Sequence, residues 1–133
     1  MKSRRRWLPA LACAIPVLAF GADSASGITR RVIEQHPIEG SDKVLEMILV
    51  EFPPGAQAPP HVHPATGLNY ILSGEVDSQY EGEAVKHYKA GDTYQDPPNR
   101  RHLLFRNTSA TEPLRFLIAV ELERGQPFSQ PLP

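Results

Sequence analysis

The sequence contains very little cysteine, which excludes several kinds of chemistry. Only Cys13 is present among the 133 residues, and it lies in an apolar N-terminal segment that we predict to be removed. Without that segment the chain can form no disulfide, offers no thiolate to a metal and has no cysteine nucleophile. The stability of the remaining domain must therefore come from packing.

The chain also has no long amphipathic helix pattern and no surplus of basic charge. Its apolar runs are short, and the 14 prolines and 9 glycines favour many strands joined by tight turns. Removal of the N-terminal segment takes away four of the 14 basic residues and none of the 15 acidic ones, which leaves 10 against 15 and a formal charge of −5. We therefore expect no nucleic-acid partner.

The first 21 residues are typical of an export signal. Basic residues at the start are followed by an apolar stretch over residues 7–20, and small residues stand at Ala19 and Gly21. We predict cleavage after Gly21, which would leave a single domain over residues 22–133 in the periplasm or outside the cell. The apolar stretch is short for a bilayer and contains two prolines, so we expect no permanent membrane span.

The route of export stays open between two interpretations. Residues 3–8, Ser-Arg-Arg-Arg-Trp-Leu, are similar to the twin-arginine pattern, whose pathway carries folded proteins that often already hold a cofactor. An ordinary secretory signal with a basic start explains the same residues. A third interpretation, lipidation at Cys13, is weaker because Ala10 stands where a larger aliphatic residue is expected.

Turn residues divide the remaining chain into about nine short strands. In residues 114–122 the apolar side chains alternate, as they do in a strand with one buried face. This pattern predicts an all-β sandwich or barrel. We expect the proline-rich tail, residues 125–133, to run along the surface or across a partner. Around a segment that contains two histidines, the predicted strands cover residues 28–35, 43–52, 68–72, 75–80, 84–88, 93–96, 101–107 and 114–122.

Three histidines stand in a pattern that suits a metal site. His61 and His63 are two residues apart, so in a strand they point to the same face and can hold one ion about 2.0 to 2.1 Å from each nitrogen. His102 would supply a third ligand if its strand lies opposite or adjacent to theirs. Three neutral ligands leave positions for water, oxygen or substrate. Taken alone, the first two are also explained as ordinary strand histidines.

The residues around the first two histidines resemble the first motif of the cupin superfamily. That motif has a glycine, a His-X-His pair, a glutamate and a second glycine at fixed spacings. Gly55, His61, His63 and Gly74 stand at those spacings here, but Gly67 occupies the position of the glutamate.

The second cupin motif resembles the segment around the third histidine. Gly91, Pro97 and His102 match its spacings, and Asn99 replaces one glycine, a change that asparagine tolerates because it also adopts left-handed conformations. Together the two motifs cover residues 55–107. The resemblance implies an all-β double-stranded β-helix, or jelly roll, with the histidines inside the barrel.

The same resemblance implies that His61, His63 and His102 bind a divalent metal ion, which would be Fe, Mn, Ni or Zn. The carboxylate ligand of a typical cupin site is missing, because Gly67 has no side chain. Three neutral ligands leave the ion its full +2 charge, so we expect an anionic small-molecule ligand. Loss of metal binding together with the carboxylate is the alternative. Candidates to complete the coordination shell are a water, Gln57, Thr66 and Asn69.

Arg106 stands where the second motif has its final asparagine, one place before Asn107. Strict alternation from His102 would turn Arg106 into the interior, where its guanidinium could clamp an anionic substrate. A bulge, or a place at the rim of the barrel, would turn it to water instead. We favour the rim, because the motif is shifted by one residue at this point.

Two functions are compatible with these residues. Some cupin-fold oxygenases that act on diketones or thiols are similar in using three histidines and no acid, which suggests a dioxygenase or related metalloenzyme acting on a small oxygen-rich anion. The alternative is a non-catalytic binding or sensing cupin with a degenerate or empty metal site. Under both we expect a homodimer, because residues 43–52 and 114–122 carry apolar side chains on both strand faces.

Overall fold

The computed structural model describes residues 27–132, and the predicted export signal with its cleavage site after Gly21 lies outside them. Within this range the regular structure is entirely β, which confirms the predicted fold class. No helix in the described range is long and apolar enough to span a membrane. The strands are β1 (Thr29–Pro37), β2 (Lys43–Phe52), β3 (His61–Val62), β4 (Gly67–Ser73), β5 (Glu75–Tyr80), β6 (Lys86–Lys89), β7 (Thr93–Asp96), β8 (His102–Asn107), β9 (Leu114–Glu123) and β10 (Gln130–Pro131).

The strands form two antiparallel sheets that pack face to face as a jelly roll. The first sheet has the order β1-β2-β9-β4-β7 and the second the order β10-β3-β8-β5-β6. In the second sheet β3 and β8 are neighbours, with His61 opposite His102. This register places side by side two histidines that are far apart in the sequence.

An aromatic cluster between the two sheets forms the centre of the core. The ring of Phe105 lies 5.4 Å from that of Phe52 and 5.3 Å from that of Phe116, measured between centroids. Burial of each such ring stabilises the fold by about 1.5 to 3 kcal/mol. The ring of His102 lies 5.3 Å from Phe105, so the histidines rest on this apolar core.

A β-bulge in β8 decides where Arg106 points. Tyr80 pairs with His102 and Gln79 with Leu104, so Leu103 is an extra residue on the β8 side. The bulge reverses the alternation after His102, and Arg106 is exposed. Its guanidinium Nη2 lies 3.5 Å from Asp77 Oδ2 at the surface. Arg106 thus faces water, as we favoured, and strict alternation, which would have placed it inside the barrel, is wrong for this strand.

Asn107 takes the inward position that follows Arg106. Its side-chain amide donates to the carbonyl oxygens of Phe52, Pro53 and Glu112, at 3.3, 3.0 and 2.8 Å, and its Oδ1 accepts from the N–H of Ser109 at 3.0 Å. These bonds fasten the end of β8 to the end of β2 and to the loop before β9.

Asn99 confirms the conformation expected where the second motif has a glycine. Its φ is 59°, in the left-handed region that asparagine tolerates. Its N–H donates to the carbonyl oxygen of His63 at 2.8 Å. The turn before His102 is thereby tied to the segment that carries the other two histidines.

Candidate metal centre

His61, His63 and His102 lie together in the interior of the barrel. Their exposed fractions are 7%, 4% and 2%, and one ring nitrogen of each lies within 4.8 Å of the others. Among residues 27–132 the structure thus brings the three predicted ligands to one point, whereas His36 and His87 are exposed.

The protons on the first two imidazoles are positioned by backbone carbonyls. His61 Nδ1 lies 2.8 Å from the carbonyl oxygen of Pro59, and His63 Nδ1 lies 3.1 Å from that of Phe128. A carbonyl oxygen only accepts hydrogen bonds, so each Nδ1 must carry a proton and donate it. Burial lowers the pKa of both histidines to about 4, although these carbonyls act in the opposite direction. Both rings are therefore neutral near pH 7, and each Nε2 is unprotonated with a free lone pair.

These bare nitrogens converge in a way that is unfavourable without a cation. The Nε2 atoms of His61 and His63 are 3.1 Å apart, and neither has a proton to share. The Nε2 of His102 lies 2.8 Å from Ser78 Oγ, while its Nδ1 is buried without a hydrogen-bond partner. Burial also lowers the pKa of His102. Neutral imidazoles held through their other nitrogen are the donors that divalent transition metals take, so the three residues fit a metal ion.

A buried carboxylate, Asp96 at the end of β7, adjoins this cluster. Its Oδ1 lies 3.7 Å from His63 Nε2 and 4.0 Å from His102 Nδ1, and the residue is 2% exposed. Tyr80 donates its hydroxyl to Oδ1 at 2.6 Å, and the amide of Asn69 donates to Oδ2 at 2.8 Å. Burial raises the pKa of Asp96, while these two hydrogen bonds act to lower it.

Sequence reasoning missed Asp96, because the signal for it was weak. Asp96 is two residues after Tyr94 in a short strand, so the two side chains share a face, and both are buried. An acidic residue on the inward face of a strand near a predicted metal site is a candidate ligand. That inward direction could not be assigned from a strand of four residues.

The position where the cupin motif has glutamate is filled by other parts of the chain. Gly67 pairs with Asp96 across β4 and β7. A Cβ atom added at Gly67 would lie 2.6 Å from Cζ of Phe128 and 3.2 Å from Oδ2 of Asp96. The space that a glutamate side chain at position 67 would need is therefore occupied by an aromatic ring and a carboxylate.

The C-terminal segment closes over the site, contrary to our expectation that it runs along the surface or across a partner. Phe128 is 7% exposed, and its ring centroid lies 4.4 Å from that of His63. Beyond it, β10 pairs with β3, with Pro131 opposite His61. Apolar burial of Phe128 and the hydrogen bond from His63 hold the segment in place.

The remaining predicted site residues do not all reach the histidines. Asn69 is buried and donates to Asp96, but its Oδ1 has no hydrogen-bond partner. Gln57 and Arg106 are both exposed and pair with each other in an isolated β-bridge. Thr66 is exposed as well. The structure therefore brings Asn69 alone among the four into the buried network around the centre.

The histidines line a cavity of about 30 Å³ whose other walls are mostly apolar. Arg30 from β1 also lines this cavity, and its positive charge contributes to the lowered pKa of His61 and His63. Sequence reasoning missed Arg30, because its strand is remote in sequence from both motifs. A second cavity of about 350 Å³ is lined by residues that include Tyr94, which both cavities share, and Tyr80.

Comparison with known structures finds the same architecture elsewhere. A cupin-2 domain protein from Rhodospirillum rubrum is similar over 100% of this chain and 82% of its own, with a TM-score of 0.62 and 24% identity. The DMSP lyase DddQ from Ruegeria pomeroyi is similar over 84% of this chain and 55% of its own, with a TM-score of 0.64 and 25% identity. An oxalate oxidase in complex with the substrate analogue glycolate is similar over 59% of this chain and 45% of its own, with a TM-score of 0.51 and 24% identity.

The sequence comparison is more specific than the structural one. The chain has no match among curated proteins. Residues 48–120, more than half of the 133, match the Cupin_2 family model, which describes a cupin domain. This segment runs from the middle of β2 through the histidines to β9, and on that match the chain belongs to the cupin family.

Proposed function

We propose that this chain is an exported cupin that binds one divalent metal ion through His61, His63 and His102 and acts on a small, anionic, oxygen-rich molecule as a dioxygenase or related metalloenzyme. The observation that carries the proposal is the convergence of three buried imidazoles, with the unprotonated Nε2 atoms of His61 and His63 3.1 Å apart and the Nδ1 of His102 buried without a hydrogen-bond partner. Export is proposed from the N-terminal signal pattern.

The residues around the centre would each contribute to this function. Hydrogen bonds to Pro59 and Phe128 hold two imidazoles in one orientation, so their lone pairs point to the same place. The ring of Phe128 and the apolar walls limit the water that can reach this place. A bound divalent ion would supply Lewis acidity, and a redox-active one would also supply electron transfer to dioxygen.

Metal content is the direct test of the proposal. Protein purified from its exported compartment, without added metal, is expected to hold close to one equivalent of a transition metal by mass spectrometry. His63→Ala is expected to lose this metal, because it removes one of the converging nitrogens. His87→Ala is the matched control, since His87 is an exposed histidine bonded to Asp77, and it should keep the metal.

Absence of metal from both the wild type and His63→Ala, with the fold intact, would contradict the proposal. Metal retained by His63→Ala at the wild-type level would place the ion elsewhere. The intact mass of the same preparation reports whether the chain starts at Ala22, as the predicted cleavage requires.

An anionic ligand is supported by Arg30, a half-buried cation that lines the cavity. The related oxalate oxidase holds glycolate, a small carboxylate, which is compatible with the same class of ligand here.

We expect Arg30→Gln to weaken binding of oxalate to the metal-loaded protein by about tenfold or more, the effect of losing one charged hydrogen bond. Arg106→Gln should change it less than about twofold, because Arg106 is exposed and lies beside Asp77. Isothermal titration calorimetry measures both, and equal effects would contradict a role for Arg30.

A homodimer is proposed from an apolar patch on the outer face of the first sheet. Met47 in β2 and Leu68 in β4 both pair with Ala119 in β9, so the patch crosses three strands. The apolar side chains of Met47 and Leu68 are exposed. Tyr70 and Leu72 extend it along β4. A second copy that covers this patch would remove it from water, and the molar mass from light scattering distinguishes the dimer from a monomer.

The non-catalytic alternative is compatible with the small size of the cavity at the histidines. About 30 Å³ holds an ion and one or two waters, which leaves little space for an organic substrate. A metal-loaded protein that binds chelating anions yet consumes no oxygen with diketones or phenolates would support a binding or sensing role. Oxygen consumption that depends on such an anion would support the enzyme.

A further inference from the structure

We propose that Asp96 supplies the fourth ligand of the metal centre, in place of the glutamate that the cupin motif has at the position of Gly67. The inference rests on the proposed metal site and deepens it, because it names a ligand that neither motif provides. It also changes the electrostatics expected from the sequence, since a carboxylate offsets one unit of the charge on the ion.

The distances place the Asp96 carboxylate within reach of the same ion as the histidines. Two donor atoms that each lie about 2.0 to 2.2 Å from one ion are separated by about 3 to 4.4 Å. The Nε2 atoms of His61 and His63 are 3.1 Å apart, and Asp96 Oδ1 lies 3.7 Å from His63 Nε2 and 4.0 Å from His102 Nδ1. One oxygen of Asp96 therefore faces ring nitrogens of two histidines, and the Nε2 of His63 has no proton to donate to it.

The chain replaces the motif's carboxylate from the neighbouring strand. Gly67 and Asp96 are direct partners across the β4–β7 ladder, so a carboxylate from either strand can reach the same interior region. The structure leaves little room for both, because a Cβ at position 67 would overlap the ring of Phe128 at 2.6 Å and lie in tight contact with Asp96 Oδ2 at 3.2 Å. Glycine at position 67 thus leaves space for the carboxylate of Asp96 and the ring of Phe128.

The hydrogen bonds of Asp96 suit a ligand role. Tyr80 donates to Oδ1 and Asn69 to Oδ2, and these two bonds hold the plane of the carboxylate while Oδ1 keeps a further lone pair on the side of the imidazoles. An ionised carboxylate at 2% exposure is costly unless an opposite charge lies close to it, and a divalent ion at the histidines would be that charge. Tyr80 and Asn69 would then act as positioning residues.

Asp96→Asn tests the inference, because it removes the charge and keeps the size of the side chain. With Co²⁺ as the probe ion, competition against a chelator is expected to show an affinity at least about 100-fold lower than that of the wild type, beyond the range for loss of an outer hydrogen-bond partner. The visible absorption of the bound Co²⁺ is also expected to change, since one oxygen donor is lost. Asp77→Asn, a carboxylate change at the surface, should alter neither measurement.

A second measurement keeps the test decisive if Asp96→Asn does not fold. Infrared difference spectra of the wild type on addition of Zn²⁺ are expected to show the shift of a carboxylate stretch, and His63→Ala should not show it. Unchanged Co²⁺ affinity and absorption in folded Asp96→Asn, or no carboxylate shift in a wild type that binds Zn²⁺, would overturn the role of Asp96 alone. A wild type that binds neither ion would overturn the proposed metal site itself.

Discussion

Gly67→Glu is expected to destabilise the protein by at least about 4 kcal/mol, although it restores the residue that the cupin motif has at this position. The new side chain would displace Phe128, whose Cζ lies 2.6 Å from the position of the added Cβ, and would forfeit about 1.5 to 3 kcal/mol of ring burial. In the metal-free protein it would also place a second carboxylate beside the buried Asp96 with no ion to offset it, and an uncompensated buried charge costs about 3 to 5 kcal/mol. Urea unfolding of the metal-free variant and the metal-free wild type measures the difference.

Two further variants separate these effects. Gly67→Ala adds the Cβ without a charge and is expected to cost about 1 to 3 kcal/mol, as overpacking does. Gly67→Glu combined with Asp96→Asn removes the second charge and should recover part of the lost stability. A Gly67→Glu protein as stable as the wild type would show that Phe128 and Asp96 do not occupy the glutamate position.

Removal of metal by a chelator is expected to lower the unfolding temperature of the metal-loaded wild type by about 15 °C or more. Metal at about 1,000 times its dissociation constant stabilises the folded state by about 4.1 kcal/mol, and each kcal/mol shifts the unfolding temperature of a domain of about 100 residues by about 4 °C or more. Without the ion, the lone pairs of His61 and His63 face each other at 3.1 Å, and His102 Nδ1 has no partner. Differential scanning calorimetry with and without chelator provides the comparison.

The control variants make this result specific to the histidine cluster. The unfolding temperature of His63→Ala should not respond to the chelator, because this variant has lost a converging nitrogen. His87→Ala should respond as the wild type does, since His87 lies at the surface. An unchanged unfolding temperature of the wild type, once its metal is shown to have been removed, would exclude a stabilising ion at these residues.

The strands were predictable because the signals that define them are local. For eight of the ten strands in the described range, the ends predicted from alternating apolar residues and turn residues agree with the structure to within two residues. The exceptions, β3 and β10, have two residues each, which is too few for any periodic pattern. The resemblance to cupin motifs likewise rests on spacings within two short segments, and the family-model match confirms the family that it indicated.

Most of the surroundings of the histidines were not predictable, because they depend on contacts between distant segments. The outward direction of Arg106 was favoured by the one-residue shift of the second motif, but the position of the extra residue in β8 that causes it was not predicted. The burial of Phe128 depends on the return of the C-terminal segment to β3. Neither a bulge nor a returning segment leaves a periodic signal in the sequence.

By itself the sequence determined that the chain is all β, that it carries the cupin motifs, and that His61 and His63 project from the same segment at a spacing suited to one ion. The tertiary structure alone decided that Asp96 faces these histidines from the strand beside Gly67 and that Phe128 fills the space left by the missing glutamate. The physical reason is the range of the interactions. Strand periodicity and turn conformation are properties of neighbouring residues, whereas strand register and the closure of two sheets bring together side chains that the sequence separates.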